Sequence, residues 1–288
     1  MFVQLTPPGE EELKPKNLFL AVFVALLVST FVDGCGGKGA LTNASMPVPA
    51  SPSPTPPSGG PTPSPTPSAT PSPTPNSTTI SGVQKLSGWQ SCTGSCTNTP
   101  TAVYSLTQDV TSPSLSGAAA RFELLAGTNP YGGVMWFKYL GSFDSATHFV
   151  YDAFFYVDNP SAAQGLEFTV SQSTNGSRYN FSTQCLFAGQ NLWRVWDPNT
   201  HGWAASSAPC AQPAPNTWNH VIWEFERDSG GNAIFTAVTV NGNRAVVNMS
   251  MPHVGDNTSG LDVAFQPDAD VNATLYSVWL DNVSLTYW

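Results

Sequence analysis

From about residue 80 to the end, apolar and polar positions alternate in short runs of period two. The runs are rich in aromatic and β-branched residues and stop at Gly, Pro, Asn or Asp clusters, which is the pattern of half-buried strands. Residues 133–140 (GVMWFKYL), 147–157 (THFVYDAFFYV), 166–173 (LEFTVSQS) and 178–187 (RYNFSTQCLF) predict strands. So do residues 218–227 (WNHVIWEFER), 233–240 (AIFTAVTV), 244–249, 261–266 and 274–286. Residues 118–125 (AAARFELL) have a helical composition, but Arg121 and Glu123 alternate with Phe122 and Leu124, which favours a strand. Asn241-Gly242 sits between two such runs and signals a two-residue hairpin. Period-3.6 patterning is nearly absent. About a dozen strands without crossover helices predict an all-β fold, a two-sheet antiparallel jelly-roll sandwich.

The first part of the chain has a different texture. Residues 18–32 (LFLAVFVALLVSTFV) form an apolar run preceded by Lys14 and Lys16. The run is short for a membrane span of about 20 residues and suits a secretory signal. Gly34-Cys35 then resembles a bacterial lipobox, which makes Cys35 the expected lipidation site, although Asp33 is atypical there. Thirteen prolines lie between Pro47 and Pro75, among Ser and Thr and without charge. Such a segment buries too little apolar surface to offset its chain entropy. The expected organisation is a signal segment (1–34), a disordered Pro/Ser/Thr stalk (35–79) and one β-domain (80–288). The match of residues 34–39 (GCGGKG) to G-x-G-x-x-G carries no weight, because it lies outside any strand–helix unit.

Composition sharpens this picture. All nine Trp and all eight Tyr lie after residue 80. Charged residues are 10% of the 288, and the net charge is −9 with ten Lys plus Arg. Nucleic acid is thereby disfavoured as a partner, since phosphate binding needs a clustered basic face. Apart from Cys35, four cysteines remain: Cys92, Cys96, Cys185 and Cys210. An even number in an exported chain predicts disulfides. Three pairings are open, and Cys92–Cys96 with Cys185–Cys210 is the favoured one.

Two stretches carry a family resemblance. Residues 218–227 (WNHVIWEFER), followed after a polar turn by 233–240 and Asn241-Gly242, look like a W-x-H-V … V-x-V-N-G strand–turn–strand pattern. That pattern is similar to the concanavalin A-like lectin/glucanase superfamily, its LamG-like jelly rolls in particular. The ending, residues 279–288 (WLDNVSLTYW), resembles the closing strand of many carbohydrate-binding jelly rolls. The resemblance implies a jelly roll, with glycan recognition as the commonest family role, but fold alone does not fix function.

Three sets of residues are candidates for chemistry. The first is a sugar platform. Sugars stack their C–H faces on aromatic rings and need planar polar partners for their hydroxyls. Between Cys185 and Cys210 lie Trp193, Arg194, Trp196, Asp197, Asn199 and Trp203, with Trp193 and Trp203 flanking a turn at Asp197-Pro198-Asn199. Tyr131 is a second loop aromatic. The competing reading is that these rings pack beneath the loop, so their exposure separates the two. The second set is catalytic. Glu224, Glu226 and Asp228 share one face of a strand at roughly 6.5–7 Å spacing, within the range of glycosidase pairs. The resemblance implies a Glu-x-Asp-x-Glu strand, from which this order departs. The third is a structural calcium held by Asp268, Asp270 and Asp281. Neither G-x-S-x-G nor H-E-x-x-H is present.

The sequence therefore predicts an exported lipoprotein, anchored to a membrane by lipid alone and facing the cell surface or periplasm. Its partner is an extracellular polysaccharide or glycan, bound without catalysis, and no cofactor is expected beyond the calcium. A jelly-roll hydrolase or lyase and a structural, adhesive surface protein are the alternatives.

Overall fold

The computed structural model describes residues 76–288. The signal run, Cys35 and the proline-rich segment up to residue 75 lie outside the described residues. In chain order the strands are β1 (Thr78–Ser81), β2 (Gln90–Thr93), β3 (Tyr104–Val110) and β4 (Ala119–Leu124). Next come β5 (Val134–Gly141), β6 (His148–Val157), β7 (Ala163–Thr174) and β8 (Ser177–Leu186). The hairpin β9 (Leu192–Asp197) and β10 (Gly202–Pro209) precedes β11 (Trp218–Arg227), β12 (Asn232–Val240) and β13 (Asn243–Pro252). The last strands are β14 (Val254–Gly255), β15 (Gly260–Ala269) and β16 (Tyr276–Tyr287).

These strands form two antiparallel sheets. The back sheet runs β13-β12-β11-β6-β16-β4-β3, with β1 added on β16. The front sheet runs β10-β9-β8-β7-β15-β5-β2, with β14 added on β8. The predicted two-sheet sandwich is thus the observed fold, and residues 118–125 supply β4. Strands β1, β2 and β3 had no period-two apolar signal, because their residues are largely half-buried or exposed.

Alternation places one set of side chains from each sheet in a common core. The front sheet contributes Leu166, Phe168 and Val170 from β7 and Val263 and Phe265 from β15. The back sheet contributes Phe149, Tyr151 and Phe155 from β6 and Trp223 and Phe225 from β11. Rings meet edge-on across the gap: Phe122 and Phe265 at 5.1 Å, Trp193 and Trp223 at 5.1 Å and 90°. Edge-to-face geometry suits the ring quadrupoles and adds to area burial. Both favoured disulfides are formed, Cys92–Cys96 and Cys185–Cys210. The second ties β8 to the residue after β10 and so closes the β9–β10 hairpin onto the front sheet. No helix among the described residues is long and apolar enough to cross a membrane.

Candidate functional site

The side chains that alternate with the core on the front sheet point outward, and on its central strands they are short and polar. Strand register lines them up in rows. One row joins Arg194 to Gln184, Gln184 to Glu167 and Glu167 to Gln266. The next joins Trp203 to Trp196 on the hairpin, and Ser182 to Thr169, Ala264 and Phe137. A third joins Asn180, Ser171, Asp262 and Tyr139, and a fourth Arg178, Ser173 and Gly260. Because Ser, Thr, Ala and Gly are small, the surface is hollowed. A cavity of about 500 Å³ is lined by Thr169, Ser171, Ser173 and Ser182 below and by Met135, Phe137 and Tyr139 at one side. A second cavity of about 150 Å³ shares Met135, Asn180 and Ser182 with it and reaches Trp196, Trp203 and Glu167. Together they make one groove across the sheet, with the Cys92–Cys96 turn at its rim.

Hydrogen bonds organise the floor. Thr169 Oγ1 donates to Ser182 Oγ at 3.1 Å, and Ser182 Oγ donates to Asn180 Oδ1 at 2.7 Å. Ser171 Oγ donates to the same Oδ1 at 3.3 Å. The Asn180 amide, which lines both cavities, is thereby fixed with its oxygen loaded.

Charge gathers at both ends. At the hairpin end, Gln184 Nε2 donates to Glu167 Oε1 and Asp268 Oδ2, each at 2.9 Å. Gln266 Nε2 donates to Glu167 Oε1 at 3.1 Å and Asp268 Oδ1 at 2.9 Å. The two carboxyls thus share the amides of Gln184 and Gln266 as common donors. Burial, and for Glu167 also the adjacent Asp268 charge, raises both carboxyls above their ordinary range. Arg194 donates to Gln184 Oε1, and its guanidinium lies 5.6 Å over the Trp203 ring. At the other end, burial lifts Asp262 to about 6 against the pull of Arg178. Arg178 lies 3.5 Å from Asp262 and 4.0 Å from Asp256.

The structure divides the predicted platform. Trp196 and Trp203 are half-buried, pack edge-on at 5.3 Å and line the groove, with Arg194 beside them. Trp193 is corrected: it is 2% exposed and belongs to the core, because it sits one residue out of phase with Arg194 and Trp196 on β9. Asp197 caps the β9–β10 turn by accepting from Asn199 N at 2.9 Å and Thr200 Oγ1 at 3.0 Å. Asn199 is exposed in that turn. Tyr131 is exposed in the loop before β5, where its N–H donates to the Asp270 carbonyl.

The carboxylate candidates lie elsewhere. Glu224 and Glu226 are on the outer face of the back sheet. Arg244 clasps Glu224 with two 2.8 Å bonds, and His148 lies 3.8 Å from Glu226. The three aspartates proposed for calcium are not brought together. Asp268 is in the buried front-sheet cluster, and Asp270 accepts from Asn272 N and Thr274 N in its own loop. Asp281 accepts from six donors, on Gln84, Ser114, Leu115, Ser116 and Asn282. Burial alone would raise Asp281, but these donors outweigh it and hold the carboxyl at about 2. Among the described residues, no three His, Cys, Asp or Glu converge to hold a metal.

The sequence reading missed the groove floor. A signal was present: between the charged ends of β7, β8 and β15 the positions opposite the core carry Thr169, Ser171, Asn180, Ser182 and Ala264. Such a stretch of short, uncharged outward residues marks a face that is partly enclosed.

No protein-family model and no curated protein matches the chain. Solved structures of similar course exist. A carbohydrate esterase from the Shiga toxin-encoding bacteriophage phi24B is 13% identical with a TM-score of 0.45, over 74% of this chain and 99% of its own. An alginate lyase in complex with alginate trisaccharide is 15% identical with a TM-score of 0.40, over 68% and 97%. Arcelin-5, a lectin-like defense protein from Phaseolus vulgaris, is 11% identical with a TM-score of 0.42, over 74% and 98%.

Proposed function

We propose that this chain is a non-catalytic carbohydrate-binding protein that holds a polysaccharide segment across the outer face of the front sheet. One observation carries the reading: a groove floored by hydroxyls and an oriented amide, with Met135, Phe137 and Tyr139 on one side and Trp196 and Trp203 at one end. Apolar walls take the C–H faces of sugar rings, and the floor takes their hydroxyls. The test is a glycan array probed with the full, oxidised chain. Saturable binding that is lost in Trp203→Ala and Phe137→Ala but kept in Glu224→Gln supports the reading. A clean negative with folded protein rejects it and leaves adhesion to protein surfaces.

The acid pair at the hairpin end favours a second reading, a polysaccharide hydrolase or lyase. That reading predicts released sugar, abolished by Glu167→Gln. Glu167 and Asp268 are buried and already accept from the amides of Gln184 and Gln266, which supports binding over cleavage. Display from a lipidated Cys35 on the proline-rich stalk is part of the same proposal. The two disulfides agree with an exported chain. Cys35→Ser is expected to release the protein from the membrane fraction.

A further inference from the structure

Resting on the carbohydrate reading, we infer that the groove selects uncharged polysaccharides and rejects polyuronates, because among the described residues carboxyl groups outnumber the guanidiniums beside it.

Among the described residues, Arg178 lines the groove and Arg194 lies beside it, over Trp203. Arg178 lies against Asp262 at 3.5 Å and Asp256 at 4.0 Å, and donates to Ser173 Oγ at 3.4 Å. Asp256 is itself fixed, accepting from Ser173 Oγ at 2.6 Å and from Thr258 N at 2.9 Å. Arg194 donates to Gln184 and lies on the face of Trp203, next to Glu167 and Asp268. Four carboxyl groups therefore stand against two guanidiniums. A uronate entering the groove competes with Asp262 and Asp256 for Arg178 and adds a negative charge beside them, a juxtaposition that interfaces use to exclude wrong partners.

The rest of the floor suits neutral sugars. The relay from Thr169 through Ser182 to Asn180, joined by Ser171, loads Asn180 Oδ1 with two donors. Asn180 Nδ2 then donates to a sugar oxygen, while hydroxyl lone pairs on Ser171 and Thr169 accept from sugar hydroxyls. Neutral hydroxyl-for-hydroxyl exchange of this kind does not depend on counterions.

The experiment measures Kd of the full chain for neutral β-glucan, xylan, mannan and galactan and for alginate and polygalacturonate, each at low and high salt. The expected result is a neutral polymer bound about tenfold or more tighter than either polyuronate, with little salt dependence. Asp262→Asn, alone and with Asp256→Asn, is expected to raise polyuronate binding by freeing Arg178. Polyuronate binding that equals or exceeds neutral binding in the unaltered chain, and weakens with salt, overturns the charge selection while leaving carbohydrate binding intact. Binding of neither class by folded protein removes the carbohydrate reading itself. The two failures are thus distinguishable, and the unaltered chain decides both even where a variant does not fold.

Discussion

The outer faces of the two sheets obey the same alternation and end with opposite surfaces. On the back sheet the outward positions hold long side chains that satisfy one another. Glu224 pairs with Arg244, and Asp152 bonds His220 at 2.7 Å while Phe154 stacks on that ring at 4.0 Å. Trp218, Tyr156 and Trp279 pack ring to ring in a row across three strands. On the front sheet the middle of the same face holds Thr169, Ser171, Asn180, Ser182 and Ala264, too short to cover the strands. A groove follows. The lesson is that side-chain length at outward positions, and not the hydrophobic pattern alone, decides which face of a sandwich is available to a ligand.

That contrast can be broken in order of effect. Both faces rest on the shared core, so Trp193→Ala is expected to cost about 3–5 kcal/mol of unfolding free energy by urea titration, a cavity effect and not a binding one. If Trp193→Ala left stability unchanged, the placement of this ring between the sheets would be wrong.

Next come two carboxyls that differ in sign. Asp262, in the front groove, is raised by burial to about 6. Its contribution to stability is fully present below its unfolded value near pH 4 and is lost as pH rises through 6. Asp281, on the back sheet, is held at about 2. Its contribution is present above pH 4 and is lost as pH falls toward 2. Each is worth on the order of 2–3 kcal/mol. Asp262→Asn should therefore flatten the decline in melting temperature between pH 4 and 7. Asp281→Asn should lower the melting temperature at pH 7 and remove the loss below pH 4. The opposite assignment of the two slopes would contradict the environments described.

Trp203→Ala is expected to weaken glycan binding by about 2 kcal/mol, roughly thirtyfold in Kd, with the melting temperature little changed. Glu224→Gln marks the small end. It removes a surface ion pair worth less than about 1 kcal/mol and should leave glycan affinity untouched.

The sandwich was legible because its core strands repeat with period two. Residues 218–227 predict β11 to the residue, and 147–157 predict β6 within one. The strands before residue 118 were not legible, since β1, β2 and β3 bury little. The hairpin β9–β10 was visible in its turn residues and its flanking tryptophans. Its phase was the hard part: Trp193 and Trp196 are three apart, so a strand sends them to opposite faces, and only Trp196 reaches the groove. The floor was hidden for a different reason. Thr169, Ser171 and Ser182 resemble ordinary outward residues until register brings β7, β8 and β15 side by side. Register between distant strands is a tertiary property that local pattern does not encode. The acid cluster was half visible: Asp268 stood out as a candidate metal ligand, but its partner Glu167 lies about a hundred residues earlier.

The central claim is tested most directly by the indole N–H signals of the full chain in two-dimensional NMR during titration with a neutral oligosaccharide. The account predicts that Trp196 and Trp203 shift and saturate together, while Trp218 and Trp279 on the back sheet stay in place. Saturable shifts confined to Trp218 and Trp279 would place the ligand on the wrong sheet and contradict it.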